Sequence, residues 1–426
     1  MRNHISSLAS VASALALVVL VSACDSSGSG GADGKVRVSG VVTDGTASKS
    51  DQLAAKAGES FSDVDDAAVS GSEVDDNGTV KPSNGETRSN EQGEYVLESD
   101  ASSDFMLVTA VKGDVTTRVL VDARVSGTVR AASMTHETSA EADVFIESRR
   151  QGDETVTSAD VAAFVTTDVA ADIRTGVETA ARVAVAIGNS ERARQTYATE
   201  HGSTNDDQTR REEEEAYREW QASLSGHVSA SATASANARL ESRTASSLTA
   251  GGTQARIQAQ ANETARAALI AFTANLGSRT RFALRRQAEI SAALAASSSI
   301  ESDLRATSSA RADAAAAAGV RLRAALASAS GEAAMTQAWS SFRSDIHGLV
   351  AAQLGIPIVT VSAAVTALAT VEATLALALQ SSTTVDAIVD AKADFYSQAE
   401  SRLKTSFAAN AQADLGARIL AVVEAR

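Results

Sequence analysis

Residues 105–121 read Phe105-Met106-Leu107-Val108-Thr109-Ala110-Val111-Lys112-Gly113-Asp114-Val115-Thr116-Thr117-Arg118-Val119-Leu120-Val121. Two runs rich in β-branched and apolar residues flank a Lys-Gly-Asp turn, which spells a β-hairpin. Upstream, Val36, Val38, Val41 and Val42 are interspersed with polar residues and end at Asp44-Gly45. A further strand is Gly93-Glu94-Tyr95-Val96-Leu97-Glu98, with Tyr95 expected in the core. Short strands with turn residues between them predict a small antiparallel β-sandwich over residues 35–130.

Beyond Val125 the strand signals fade. Thr138 or Ser139 is positioned to cap a helix running to about Arg149, with Glu141 and Asp143 in its first turn. Ser158 then opens a helix whose stripe is Val161, Phe164, Val165, Val169, Ile173, Val177 and Ala180. Long stretches of Ala, Glu, Arg, Gln and Leu follow, all strong helix formers. Gly251-Gly252, Gly277, Gly331 and Gly355 with Pro357 mark the turns. The last and clearest helix is capped by Thr384 and lined by Val385, Ile388, Phe395, Ala399, Leu403 and Phe407. Large apolar residues are sparse elsewhere, so small residues must pack these helices closely. The expected fold class is multi-domain α+β, the sandwich followed by a long Ala-rich antiparallel helical bundle over 131–426.

The net charge is -15, and lysine is rare: 7 of the 38 basic residues. Such acidity excludes a nucleic-acid partner, because phosphate binding needs a basic patch. Between Asp44 and Asp104 stand 15 acidic and 4 basic residues, so most of the excess is local. Its centre is an insert at about 51–86 with Asp63, Asp65, Asp66, Glu73, Asp75, Asp76 and Asn77. A solvated acidic loop is the expectation. Calcium is the competing reading, but Asp75-Asp76-Asn77-Gly78 lacks the ligand alternation of a calcium loop.

Two motifs resemble carboxypeptidase-regulatory-like modules, which have a transthyretin-like sandwich. Val38-Ser39-Gly40-Val41-Val42-Thr43-Asp44-Gly45 is similar to their opening strand. Thr87 through Asn90-Glu91-Gln92-Gly93-Glu94-Tyr95-Val96-Leu97 is similar to their second signature. The resemblance covers about Val36 to Val121 and departs at the acidic insert. It implies a non-catalytic spacer or binding unit.

At the N-terminus, Arg2 precedes an apolar run from Leu8 to Val21, shorter than a membrane-spanning helix needs. The run closes in Val21-Ser22-Ala23-Cys24, which resembles the lipobox of bacterial lipoproteins. Residues 1–23 are then a signal peptide, Cys24 receives the lipid, and 24–34 form a Gly/Ser tether. Cys24 is the sole cysteine, so the chain forms no internal disulfide. Gly348 to Val371 also lacks charge for 24 residues. Its Gly, Pro, Ser and Thr content favours a buried bundle helix over a span.

Catalytic constellations are weak. His136-Glu137 begins like a zinc helix, but Ala140 stands where the second histidine belongs. Ser401-Arg402-Leu403-Lys404 matches the Ser-x-x-Lys pair of penicillin-recognising enzymes without its partner motifs. Asp386, Asp390 and Asp394 form a carboxylate stripe, and Glu212 to Glu215 an acidic run beside Arg210, Arg211 and Arg218. Both read as solvated faces. Trp220 and Trp339 are far apart, giving little support for a sugar platform.

The resulting expectation is a non-enzymatic envelope lipoprotein without a cofactor. It would be held to the inner or outer membrane through Cys24, facing the periplasm or exterior, with a structural or protein-binding role. The alternative is a solute- or ion-binding lipoprotein with a pocket in the bundle. A bundle without a cavity favours the first, and a polar pocket between helices favours the second.

Overall fold

The computed structural model describes residues 36–45, 63–100, 103–124, 127–202, 207–225, 230–247 and 252–426. The leader, Cys24, the tether and the first part of the acidic insert lie outside the described residues. Residues 36–426 belong to one compact unit.

Two sheets open the chain. The first contains β1 (Val36–Gly45), β4 (Glu94–Ser99), β7 (Gly127–Arg130) and β8 (Met134–Thr135). The second runs in the order β3 (Val80–Arg88), β2 (Ala68–Val74), β5 (Phe105–Lys112), β6 (Val115–Asp122). The hairpin quoted above is β5–β6, paired antiparallel from Phe105↔Asp122 to Lys112↔Val115. β1 pairs antiparallel with β4 but parallel with β7 and β8, so the first sheet is mixed. Val38, Tyr95 and Leu97 of one sheet pack on Val69, Met106, Val108, Val119 and Val121 of the other.

The acidic insert corrects one expectation. From Asp63 onward it is not a solvated loop: it supplies β2, a central strand, and most of β3. Ser70, Gly71 and Ser72 dilute the alternation of β2, and Pro82 and Gly85 interrupt that of β3, which hid both strands. The Asp75-Asp76-Asn77-Gly78 stretch is their turn. Asp75 Oδ1 accepts from the amides of Asn77 (3.1 Å) and Thr79 (2.8 Å), an Asx-type closure. Residues 51–62 lie outside the described set.

The second sheet is covered on both faces. Its outer side meets helix α1 (His136–Arg150) through Val74 and Leu107 against Ala142 and Ile146. This is why Met106, Leu107 and Val108 are all buried in succession. The opposite side of α1 (Ala140, Val144, Phe145) enters the first helical core. Sandwich and helices are therefore joined by packing rather than by a free linker. The cap is Thr135, ahead of both expected residues, Thr138 and Ser139. Thr138 completes a capping box, its hydroxyl accepting from Thr135 N at 2.8 Å. Thr138 Oγ1 also donates to Arg118 O (2.8 Å), and Arg118 pairs with Asp143 (2.6 Å), tying α1 to β6.

The long helix expected from Ser158 is instead three: α2 (Ser158–Phe164), α3 (Thr167–Arg174) and α4 (Ala180–Glu200). Thr157, Thr166 and Thr179 stand at their N-caps. Threonine at those positions starts helices as readily as it continues them. Val177 consequently falls in a connection and is 60% exposed.

The remaining described helices are α5 (Asp207–Ser225), α6 (Ala230–Ser247), α7 (Gly252–Phe272), α8 (Ser278–Arg305), α9 (Ser309–Ala327), α10 (Glu332–Leu354), α11 (Ile358–Thr366), α12 (Ala369–Ser381), α13 (Val385–Ser406) and α14 (Ala413–Glu424). The fold class is α+β, a sandwich followed by a long helical region, as expected. Short connections at Gly277, Gly331 and Gly355-Ile356-Pro357 separate neighbouring helices where expected. Ala312, Ala315, Ala318 and Ala293 lie in the main core. A Cβ on Gly319 of α9 would collide with Ser297 of α8, so these helices approach closely because their facing residues are small. Thr384 caps α13, and Ile388, Phe395, Ala399, Leu403 and Phe407 are buried. This helix is not the last: α14 follows and buries Ile419, Leu420 and Val423.

Gly348 to Val371 is not one buried helix. It is divided over the end of α10, all of α11 and the start of α12. Gly355 takes the left-handed conformation at the break, and α10 and α11 meet at 118°. Among the described residues no single helix is long and apolar enough to cross a membrane; that bent pair passes by length and composition only.

Candidate functional site

Three places in the described residues gather chemistry. The first is a buried ionic network. Helix α7 carries Glu263 and Arg266 one turn apart, α8 carries Glu289, α13 carries Lys392, and Arg426 follows α14. Arg266 binds Glu263 (2.7 Å) and Glu289 (2.7 Å). Lys392 Nζ stands 3.0 Å from Glu263 and also donates to Ala425 O. Arg426 reaches Glu289 (2.8 Å), lies over the Trp339 ring and approaches Glu263 (3.5 Å). Trp339 Nε1 donates to Glu289 (3.0 Å).

Three cationic side chains thus meet two carboxylates. Burial pushes the Glu263 carboxyl up, but Arg266, Lys392 and Arg426 outweigh it and hold the carboxyl well below the usual range. Burial also pulls the Lys392 ammonium down to about 8, against the attraction of Glu263. Lysine is the one of the three cations that can give up a proton, so the surplus charge weighs on it. Among the described residues, the void beside Arg266 is about 20 Å³, room for a water at most. The arrangement is structural in kind: it locks α7, α8, α10 and α13 to the chain's last residues.

The second place is a cleft of about 600 Å³ where the start of α7, the end of α8 and the start of α14 converge. Arg256, Asp303, Asp414 and Arg418 face it, together with Thr253, Ser302 and Gln412. Asp303 is 7% exposed, and Arg418 stands 3.6 Å from it. Burial raises the Asp303 carboxyl, with Arg418 and Arg256 opposing. Arg256 Nε is buried without a hydrogen-bond partner among the described residues. Asp414 is held by Lys404 at 2.6 Å.

The third is a cavity of about 420 Å³ between the sandwich and α1–α2, lined by Asp76, Asp104, Asp122, Arg124, Arg149 and Glu154 among others. Arg124 and Arg149 sit over the Phe105 ring at 5.5 and 5.9 Å, and Arg124 pairs with Asp122. Four carboxylates and two guanidiniums line it, so a negative excess remains. Among the described residues no three His, Cys, Asp or Glu side chains are placed to hold a metal ion.

The sequence-level candidates fall elsewhere. His136 begins α1, where burial lowers its imidazole pKa. Ser401 is exposed, and Lys404 points to Asp414 instead. Asp386, Asp390 and Asp394 line an exposed face of α13. Trp220 bonds Asn237 and Trp339 bonds Glu289, so each indole serves its own helix contact. Cys24 lies outside the described residues. The ionic network left one signal in the sequence: Lys392 and Lys404 are the only lysines after residue 112.

One surface also stands out. From residue 348 to 385 the only charge is the half-buried Glu372. Val361, Ala364, Leu368, Val371 and Leu375 of α11–α12 face the core. Val359, Ala363, Thr366, Thr370, Ala373 and Leu377 form the outer ridge and are exposed. Water-facing helix surfaces usually carry charge, and this one carries none.

Comparison with protein-family models, curated proteins and solved structures finds no match.

Proposed function

We propose that the chain is a lipid-anchored protein of the bacterial cell envelope with a non-enzymatic, protein-binding role. The anchor rests on the apolar run Leu8 to Val21, the lipobox-like Val21-Ser22-Ala23-Cys24 and the Gly/Ser tether behind it. In this reading the strand region, which resembles carboxypeptidase-regulatory-like modules, is a spacer or binding unit.

The binding role is carried by one observation: the uncharged outer ridge of α11–α12 on a chain of net charge -15. Its small, neutral residues suit a second helix of similar composition, which could approach closely. A charged partner gains nothing there. The lipid surface is a poorer fit, because the ridge lacks the Lys, Arg and large aromatics of interfacial helices. The test is site-specific photo-crosslinking in intact cells from Val359 and Leu377, with Asp386 as the reference position. A discrete protein adduct at the first two and not the third supports the role. Adducts only to lipid, only to a second copy, or to nothing would overturn it.

A second reading, a solute-binding lipoprotein, is favoured by the cleft between α7, α8 and α14. Most of the residues lining it are polar, it lies between helices, and about 600 Å³ is within the usual range of small-molecule sites.

A further inference from the structure

We infer that the cleft at α7, α8 and α14 takes a small zwitterion bearing a primary ammonium and a carboxylate, such as a free amino acid or a dipeptide; this rests on the solute-binding reading above. Two guanidiniums and two carboxylates face the same space: Arg256, Arg418, Asp303 and Asp414. A purely anionic or cationic ligand would meet a like charge whichever wall it approached. A dipolar ligand meets an opposite charge at each end.

One charged group there is also incompletely satisfied. Asp303 is almost wholly buried and pairs with Arg418 at 3.6 Å. Arg256 presents a buried Nε–H without an acceptor among the described residues. Buried polar groups are normally paired, and leaving one unpaired costs free energy that a ligand can recover. An ammonium donates to Asp303, and a carboxylate accepts from the fork of Arg256 or Arg418. Thr253, Ser302 and Gln412 supply neutral donors and acceptors around them. No aromatic ring lines the cleft, which argues for a primary ammonium over a quaternary one, since the latter is recognised by aromatic cages. Lys404 neutralises Asp414 at 2.6 Å, so Asp303 is the acceptor on which the ammonium depends.

The experiment is calorimetric titration of the full-length protein in detergent with L-alanine, L-lysine and glycylglycine, beside acetate, ethylammonium and sulfate. The expected result is saturable binding of at least one zwitterion, at least tenfold tighter than acetate or ethylammonium. Asp303→Asn and Arg256→Gln should each weaken it tenfold or more, with circular dichroism unchanged. Because Arg256 is partly exposed, its variant keeps the test open if the Asp303 variant misfolds. Binding of acetate or sulfate alone, lost in Arg256→Gln, or of ethylammonium alone, lost in Asp303→Asn, would overturn the zwitterion assignment and leave the cleft reading standing. Heat from none of the six probes would overturn both.

Discussion

Lys392 Nζ lies 3.0 Å from Glu263 Oε1 with both side chains almost fully buried, and it joins helices 129 positions apart in sequence. Around this pair three cations share two carboxylates. Removing either partner therefore has unequal consequences. Glu263→Gln leaves three cations facing one carboxylate, and should cost about 3–5 kcal/mol of stability. Lys392→Met leaves two against two and should cost distinctly less. Urea unfolding of both variants checks the order; equal losses would show that charge balance does not govern this core.

The same network sets a pH dependence at each end. Glu263 has a carboxyl pKa depressed below its ordinary 4.5 in the fold. Its contribution is fully present above about pH 4.5 and is lost as pH falls below that. Glu263→Gln should flatten this part of the acid limb of the stability curve, measured by thermal melts.

Lys392 works in the opposite range. Its ammonium is pulled down to about 8 from 10.5. Between these values the unfolded chain holds a proton that the folded chain has released. Linkage then makes the folded state gain about 1.4 kcal/mol per pH unit from this group. Wild type should gain on Lys392→Met between pH 8 and 10, as read by paired melts; a constant difference would contradict it.

In the sandwich, Gly40 of β1 stands opposite Tyr95 of β4. A Cβ on Gly40 would lie 2.7 Å from Tyr95 Oη and 2.9 Å from the ring. The two motifs that carried the family resemblance thus meet face to face. Gly40→Val should cost about 1–3 kcal/mol through overpacking, checked by chemical denaturation. An unchanged midpoint would mean the tyrosine moves aside freely.

On the outer ridge, Val359 is 70% exposed while Val361, two residues on, is fully buried. Val359→Glu should change stability by no more than about 0.5 kcal/mol yet abolish crosslinking to the partner from Leu377. Val361→Ala should destabilise the chain, as a core cavity does. Loss of fold in Val359→Glu would remove the ridge as a free surface.

The hairpin at Phe105–Val121, the strand ends and the turns at Gly277, Gly331 and Gly355 were legible because period and punctuation are local signals. The strand β2 was not, since Ser70-Gly71-Ser72 owes its place to neighbours on both sides and on both faces. Likewise, the stripe from Val161 to Ala180 ran unbroken in sequence, while the chain breaks in space at Val165-Thr166 and between Arg174 and Ala180. The ionic network and the cleft were invisible for one reason: their members come from helices distant in sequence, and each residue alone looks like a solvated charge. The uncharged run from Gly348 was visible, but only the fold separates its inner stripe from its outer ridge.

The lipid anchor at Cys24 is the central claim. Intact-mass and N-terminal peptide measurement of the protein extracted from the membrane fraction tests it directly. The account predicts a mature chain beginning at Cys24 and carrying a diacylglyceryl group, with Cys24→Ser retaining residues 1–23 and no lipid. An unmodified Cys24, or a mature terminus at any other residue, would contradict it.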